Sequence, residues 1–159
     1  MNLQVVDLSN TSLSGIGHML TPEEWLHPEK GQDYSYVDID ADLGLPLSCS
    51  AGALESVPRP MVLNRMERHL RSREALIALE GDAVLCVAPP QESRNGGLSG
   101  ITAVRIRAGQ AVILETGAWH WIPFPVGKGR ARFLVIFRGG TGRDDLHYQD
   151  LAQGLSMMV

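Results

Sequence analysis

A chain of 159 residues is long enough to bury a core of its own and short enough to form one domain. Its 44% hydrophobic and 20% charged residues are ordinary for a globular protein, and a net charge of −4 provides no basic face for nucleic acid. No apolar run approaches the ~20 residues of a membrane-spanning helix, and residues 1–10 carry no basic segment ahead of an apolar one. The expectation is a cytoplasmic protein with neither a membrane nor a nucleic-acid partner. Cys49 and Cys86 are too few and too far apart for a disulfide framework or a metal knuckle. Cys86 lies in an apolar run and reads as a core residue.

In chain order, residues 12–19 are a weak helix candidate, interrupted by Gly15 and Gly17. Thr21-Pro22-Glu23-Glu24-Trp25 carries a capping Thr, Pro at the first helical position and acids in the first turn, which predicts a short helix ending near His27-Pro28. Pro46, Pro58 and Pro60 break the periodicity of the first sixty positions, which read as N-terminal strands with that short helix. The core of the pattern follows. Residues 61–66, 73–79, 83–88, 101–106, 111–114 and 132–137 alternate or run apolar as strands. Glu80-Gly81-Asp82 and residues 108–110 are turns, and residues 91–100 form a polar, Gly-rich loop. A series of short strands at spacings of about ten residues predicts an antiparallel sandwich or barrel. Residues 143–150 are polar and 155–159 apolar, a tail expected to pack on the domain or to cover a partner subunit. With no repeat and no linker, residues 1–159 read as one domain: 1–60 as the entry strands, 61–142 as the barrel, 143–159 as the tail.

Two segments carry chemistry. In the first, Glu67 and His69 are two apart on a strand and point the same way, and a turn returns Glu74 beside them. In the second, Glu115-Thr116-Gly117-Ala118-Trp119-His120 delivers another imidazole from a different strand. Two imidazoles with one or two carboxylates in an open site suit a divalent metal ion, Zn, Mn, Fe or Ni, held by Glu67, His69, Glu74 and His120. Several carboxylates in one pocket repel, which favours a bound cation or a proton-transfer role. Glu115 is a candidate acid/base or further ligand. Arg138 is a candidate anchor for a substrate carboxylate, because a guanidinium binds carboxylate through two parallel hydrogen bonds. Trp119 and Trp121 flank His120 and are expected in the core, at an interface or along the pocket. His18, His27 and His147 read as surface residues. No Gly-x-Ser-x-Gly elbow and no phosphate-binding glycine loop is present.

The spacing of His69, Glu74, Gly81, Gly109, Gly117 and His120 resembles the two motifs of the cupin superfamily, with Glu67 standing at the first histidine position. A narrower resemblance covers nearly the whole chain. Leu3-Gln4-Val5-Val6-Asp7-Leu8-Ser9, Gly17, Glu67-Arg68-His69, the run 74–81, Trp119-His120 and the run 133–140 look like the ureidoglycolate lyase family. That resemblance implies a cupin-like antiparallel β-barrel or jelly roll with one or two short helices, in a homodimeric enzyme of allantoin breakdown. Such an enzyme cleaves the C–N bond of ureidoglycolate, or a closely related small polar acid, to glyoxylate and urea. It further implies a catalytic group drawn from His69, Glu74, His120, Glu115 and Glu67, with Arg138, Trp119 and Trp121 at the substrate. The chain departs from the family pattern at Leu114-Glu115, Trp121, Phe137 and Glu74. These departures keep two other readings open: a metal-dependent isomerase, epimerase or hydrolase acting on another organic or sugar acid, and a non-catalytic small-ligand binding module.

Overall fold

The computed structural model describes residues 2–8, 11–20, 29–30, 35–36, 48–90 and 98–159. They form β1 (Asn2–Asp7), β2 (Gly17–Leu20), β3 (Glu29–Lys30), β4 (Ser35–Tyr36), β5 (Cys49–Ser56), β6 (Val62–Arg68), β7 (Glu74–Glu80), β8 (Ala83–Ala88), β9 (Thr102–Ile106), β10 (Ala111–Leu114), β11 (Trp119–His120), β12 (Phe124–Pro125) and β13 (Ala131–Arg138), followed by α1 (Thr141–Asp144) and β14 (His147–Met158). One sheet runs β11-β6-β14-β1-β9-β8-β12, and a second runs β2-β10-β7-β13-β5. Because β11 pairs with β8 as well as with β6, the first sheet closes on itself. The architecture is the mostly β barrel that the sequence predicts.

The β7–β8 hairpin shows how residue types set the layers. In β7, Leu76 and Ala78 share a face with Glu74 and enter the core, as period-two alternation requires. β8 is buried along its whole length. Its Ala83, Leu85 and Val87 join a core with Leu8, Val104 and Phe133, while Val84, Cys86 and Ala88 join a second core with Leu63, Met66, Trp119 and Phe124. A strand buried on both faces must be apolar throughout, which is why Ala83–Ala88 shows no alternation. Between the strands Gly81 takes a φ of 74°, and a Cβ there would run into the Arg130 carbonyl. Burial pushes the Cys86 thiol up to about 12, so it packs as a small apolar group.

Four expectations are corrected or fall outside view. Residues 12–19 form no helix. They make a turn in which Gly15 adopts a φ of 71°, and Gly17 then opens β2 against Ile113, where any Cβ would strike the carbonyl oxygen. The expected tail is instead β14, paired antiparallel to β6 and parallel to β1. Its outward face is largely exposed, so its sequence lacks a strand's apolar alternation. The barrel is not wholly antiparallel, since β1 also runs parallel to β9. The short helix expected at residues 21–25, His27 and the loop positions 91–97 lie outside the described residues. Among the described residues, no helix is long and apolar enough to cross a membrane.

Candidate functional site

Three strands and one turn bring the titratable cluster together. In the ladder between β11 and β6, His120 stands directly opposite Glu67. Glu74 opens β7, held across from Leu114 of β10. His69 follows the last residue of β6, where the chain turns towards β7. The His69 and His120 rings meet edge to face, with centroids 5.0 Å apart. Glu74 Oε2 lies 2.8 Å from His69 Nε2 and 3.6 Å from His120 Nε2, and Glu67 Oε1 lies 4.0 Å from His120 Nε2. Only 5% of the His120 side chain, 8% of Glu74 and 17% of Glu67 are exposed.

The backbone fixes which nitrogen each imidazole offers. His69 Nδ1 lies 2.9 Å from the Asp145 carbonyl and His120 Nδ1 lies 3.1 Å from the Ala118 carbonyl. Since a carbonyl can only accept, both Nδ1 atoms carry the proton and both Nε2 atoms face the carboxylates. Asp145, itself buried, holds this arrangement in place. Its carboxylate accepts hydrogen bonds from the backbone N–H of Leu70 at 3.0 Å and of Arg71 at 2.9 Å, which pins the turn that carries His69. Asp145 follows α1, a single helical turn entered through Gly140 at a φ of 88°.

Burial and charge drive the two carboxylates apart. Burial pushes the Glu67 carboxyl up, and the nearby imidazoles only partly offset it. Burial acts upward on Glu74 too, but the charge of His120 and the charge and hydrogen bond of His69 overcome it and hold the group down at about 2. For both imidazoles burial opposes the charged form, yet Glu74 beside them keeps each above the usual histidine range.

The same donors suit a divalent cation. The ligand atoms of Glu67, His69 and His120 lie within 4.8 Å of one another. His120 Nε2 is buried without a hydrogen-bond partner, and both imidazoles are oriented through Nδ1 as metal-ligating histidines are. Imidazole nitrogens with carboxylate oxygens fit Zn, Mn, Fe or Ni.

The remaining candidates stand elsewhere. Glu115 points away from the cluster and pairs with Arg73 at 2.9 Å and with His18 at 3.1 Å. Arg138 pairs with Asp144 and donates to the Gly139 carbonyl at 2.9 Å. Trp119 is buried in the second core with the Arg68 guanidinium over its ring, whereas Trp121 borders the cavity. His18 and His147 are at the surface, each beside a carboxylate. The cavity above the cluster measures about 310 Å³, and its walls beyond the titratable groups are mostly apolar. Asp145 was not singled out from the sequence, because it lies inside a polar run with no motif around it.

A closed β-barrel with imidazoles and carboxylates at the floor of a cavity defines a protein with a small-molecule site. The family profile described as ureidoglycolate lyase matches residues 33–157, and the chain belongs to that family. Ureidoglycolate lyase 2 of Rhizobium meliloti (strain 1021) is 37% identical over 83 residues, covering 52% of this chain and 49% of that protein. The ureidoglycolate lyase of Pseudomonas syringae pv. tomato (strain ATCC BAA-871 / DC3000) is 33% identical over 103 residues, covering 64% of this chain and 59% of its own length. The chain thus spans about half the length of the curated relatives it matches. Among solved structures, Bacillus subtilis oxalate decarboxylase aligns at 16% identity and a TM-score of 0.43, over 69% of this chain and 24% of that one.

Proposed function

We propose that the protein is a lyase that cleaves the C–N bond of ureidoglycolate, or of a closely related small acid, releasing glyoxylate and urea from the parent compound. The observation that carries this reading is the pair of carboxylates pushed in opposite directions between two backbone-anchored imidazoles. Paired titratable groups with divergent environments mark a division into acid/base and electrostatic roles. The reaction moves one proton from a hydroxyl oxygen to a nitrogen while the bond between carbon and that nitrogen breaks. One carrier can do both. Glu67 suits that task, since burial lifts it towards working pH. It takes the hydroxyl proton as the carbonyl forms and returns it to the departing nitrogen. Glu74 stays ionised and keeps His69 and His120 aligned, and the positive charge they share binds the substrate carboxylate. Were a divalent cation held by Glu67, His69 and His120 instead, it would take over both roles, supplying the positive charge for the substrate carboxylate and a Lewis acid that polarises the hydroxyl.

The test is glyoxylate release from ureidoglycolate by the purified protein, with metal content measured in parallel. Replacing His120 with Ala is expected to lower turnover by about 10²–10⁴-fold while the fold is kept. Full turnover in that variant, or no glyoxylate from the unaltered protein, overturns the reading. A second reading, a metal-dependent isomerase, epimerase or hydrolase on another organic acid, is favoured by one observation: among the described residues, no lysine or arginine lines the cavity. Bound metal without glyoxylate release would support it. A homodimer acting in the cytoplasm completes the proposal. The exposed Val57 and Tyr148 support it as apolar surface available to a partner, and the mass in solution tests it.

A further inference from the structure

Beyond Glu67, His69, Glu74 and His120, the large side chains on the cavity wall are mostly apolar, Leu54, Leu76, Ile122, Val135, Phe137 and Leu146 among them, with Trp121 at its border. Phe137 stacks close to the site, its ring centroid 6.2 Å from that of His69. The hydroxyl of Thr141, also on this wall, donates its proton to the Arg138 carbonyl at 2.8 Å and is itself 1% exposed, so it offers a ligand no donor and little accessible oxygen. The terminal NH₂ that distinguishes a ureido group from a hydrocarbon acyl group needs acceptors, and among the described residues this wall meets it mostly with hydrocarbon. Burying unpaired polar groups is costly, whereas burying hydrocarbon there is favourable. Ile122 and Leu146 are each 38% exposed, apolar surface at the cavity rim that a ligand would cover. Leu54, Trp121 and Ile122 also border an adjoining depression of about 550 Å³, whose far side carries Glu55, Arg59, Asn64 and Arg65, so the apolar lip ends where that depression begins.

We propose that the preferred substrate is an N-acylated α-hydroxyglycine, R–CO–NH–CH(OH)–COO⁻, in which R is a hydrocarbon group. This inference rests on the lyase reading and specifies its substrate class. The carboxylate sits on the imidazole side, the hydroxyl faces Glu67, and R lies along Leu54, Val135 and Phe137. The bond between the hydroxyl-bearing carbon and nitrogen breaks, the hydroxyl proton moves to nitrogen, and the products are R–CO–NH₂ and glyoxylate. No oxidant, reductant or water is consumed.

The test compares glyoxylate release from N-benzoyl-, N-acetyl- and N-carbamoyl-α-hydroxyglycine, the last being ureidoglycolate itself. Binding of the unreactive N-benzoylglycine and N-carbamoylglycine is measured alongside by calorimetry. The benzoyl compound is expected to exceed ureidoglycolate in kcat/KM by at least about tenfold, and N-benzoylglycine to bind more tightly by a similar factor. Leu146→Gln, at the rim, is expected to lower the benzoyl-to-carbamoyl ratio. Equal or better turnover and binding of the carbamoyl compounds overturns the substrate class and leaves the lyase reading standing. No glyoxylate from any of the three overturns both.

Discussion

Two clusters in this molecule are built from the same residue types and behave differently. At the cavity floor, His69 and His120 share Glu74 at 2.8 and 3.6 Å, in a setting that leaves only 8% of the Glu74 side chain exposed. On the outer surface, His18 and Arg73 share Glu115 at 3.1 and 2.9 Å, with 26% of Glu115 and 48% of His18 exposed. In the first cluster, burial weakens screening and each charge depends on its neighbours. In the second, water screens every pair and each side chain can leave without penalty. Environment, not the presence of a histidine beside a glutamate, separates a reactive group from a surface ornament.

The comparison can be broken at several points. Glu74→Gln leaves two buried imidazoles without their counter-charge, and a loss of about 3–5 kcal/mol is expected in denaturant unfolding of the metal-free protein. A divalent ion bound to the native state alone adds about 2.7 kcal/mol at a hundredfold excess over Kd. Thermal melts with and without chelator should show that gain vanish in Glu67→Gln and persist in Glu115→Gln. Asp145→Ala removes the acceptor for the Leu70 and Arg71 N–H groups, at a cost of about 0.5–1.5 kcal/mol for each part-buried hydrogen bond lost. Because His69 hangs on that turn, its turnover should fall with its stability. Glu115→Gln is expected to shift stability by no more than about 1 kcal/mol and to leave kcat/KM within about twofold. If Glu115→Gln proves as damaging as Glu74→Gln, the distinction between the two clusters fails. The smallest effect concerns the thiols: exposed Cys49 should react with an alkylating reagent in the native protein, and Cys86, buried and held at about 12, should not.

What could be read from the sequence follows the same physics. β8 is legible because two-sided burial demands an unbroken apolar run, and Gly81 because its turn admits no Cβ. Glu67, His69, Glu74 and His120 are legible because each sits where the ladder must turn its side chain inward. Arg138 and Glu115 misled for one shared reason. In β13 the alternation that sends Phe133, Val135 and Phe137 inward puts Arg138 on the opposite side. Glu115 comes one residue after the buried Leu114 and so faces out. Adjacency to a motif does not give a residue its face. β14 and Asp145 were illegible because their constraints are not local. The strand is defined by neighbours from residues 2–4 and 62–68, and the aspartate by backbone amides of another turn.

The placement of β14 also bears on how the molecule is made. Ribosomes release residues 62–68 before either of their partners, so the strand bearing Glu67 emerges with both edges open. β11 can pair with one edge and set His120 opposite Glu67 well before the chain is finished. The other edge waits for the latest strand described, β14, which must slide in beside the earliest, β1. The site residues can therefore come into register before the sheet around them closes. Until then the half-made chain exposes a bare strand edge, and chaperone capture or pulse proteolysis during translation would find it there.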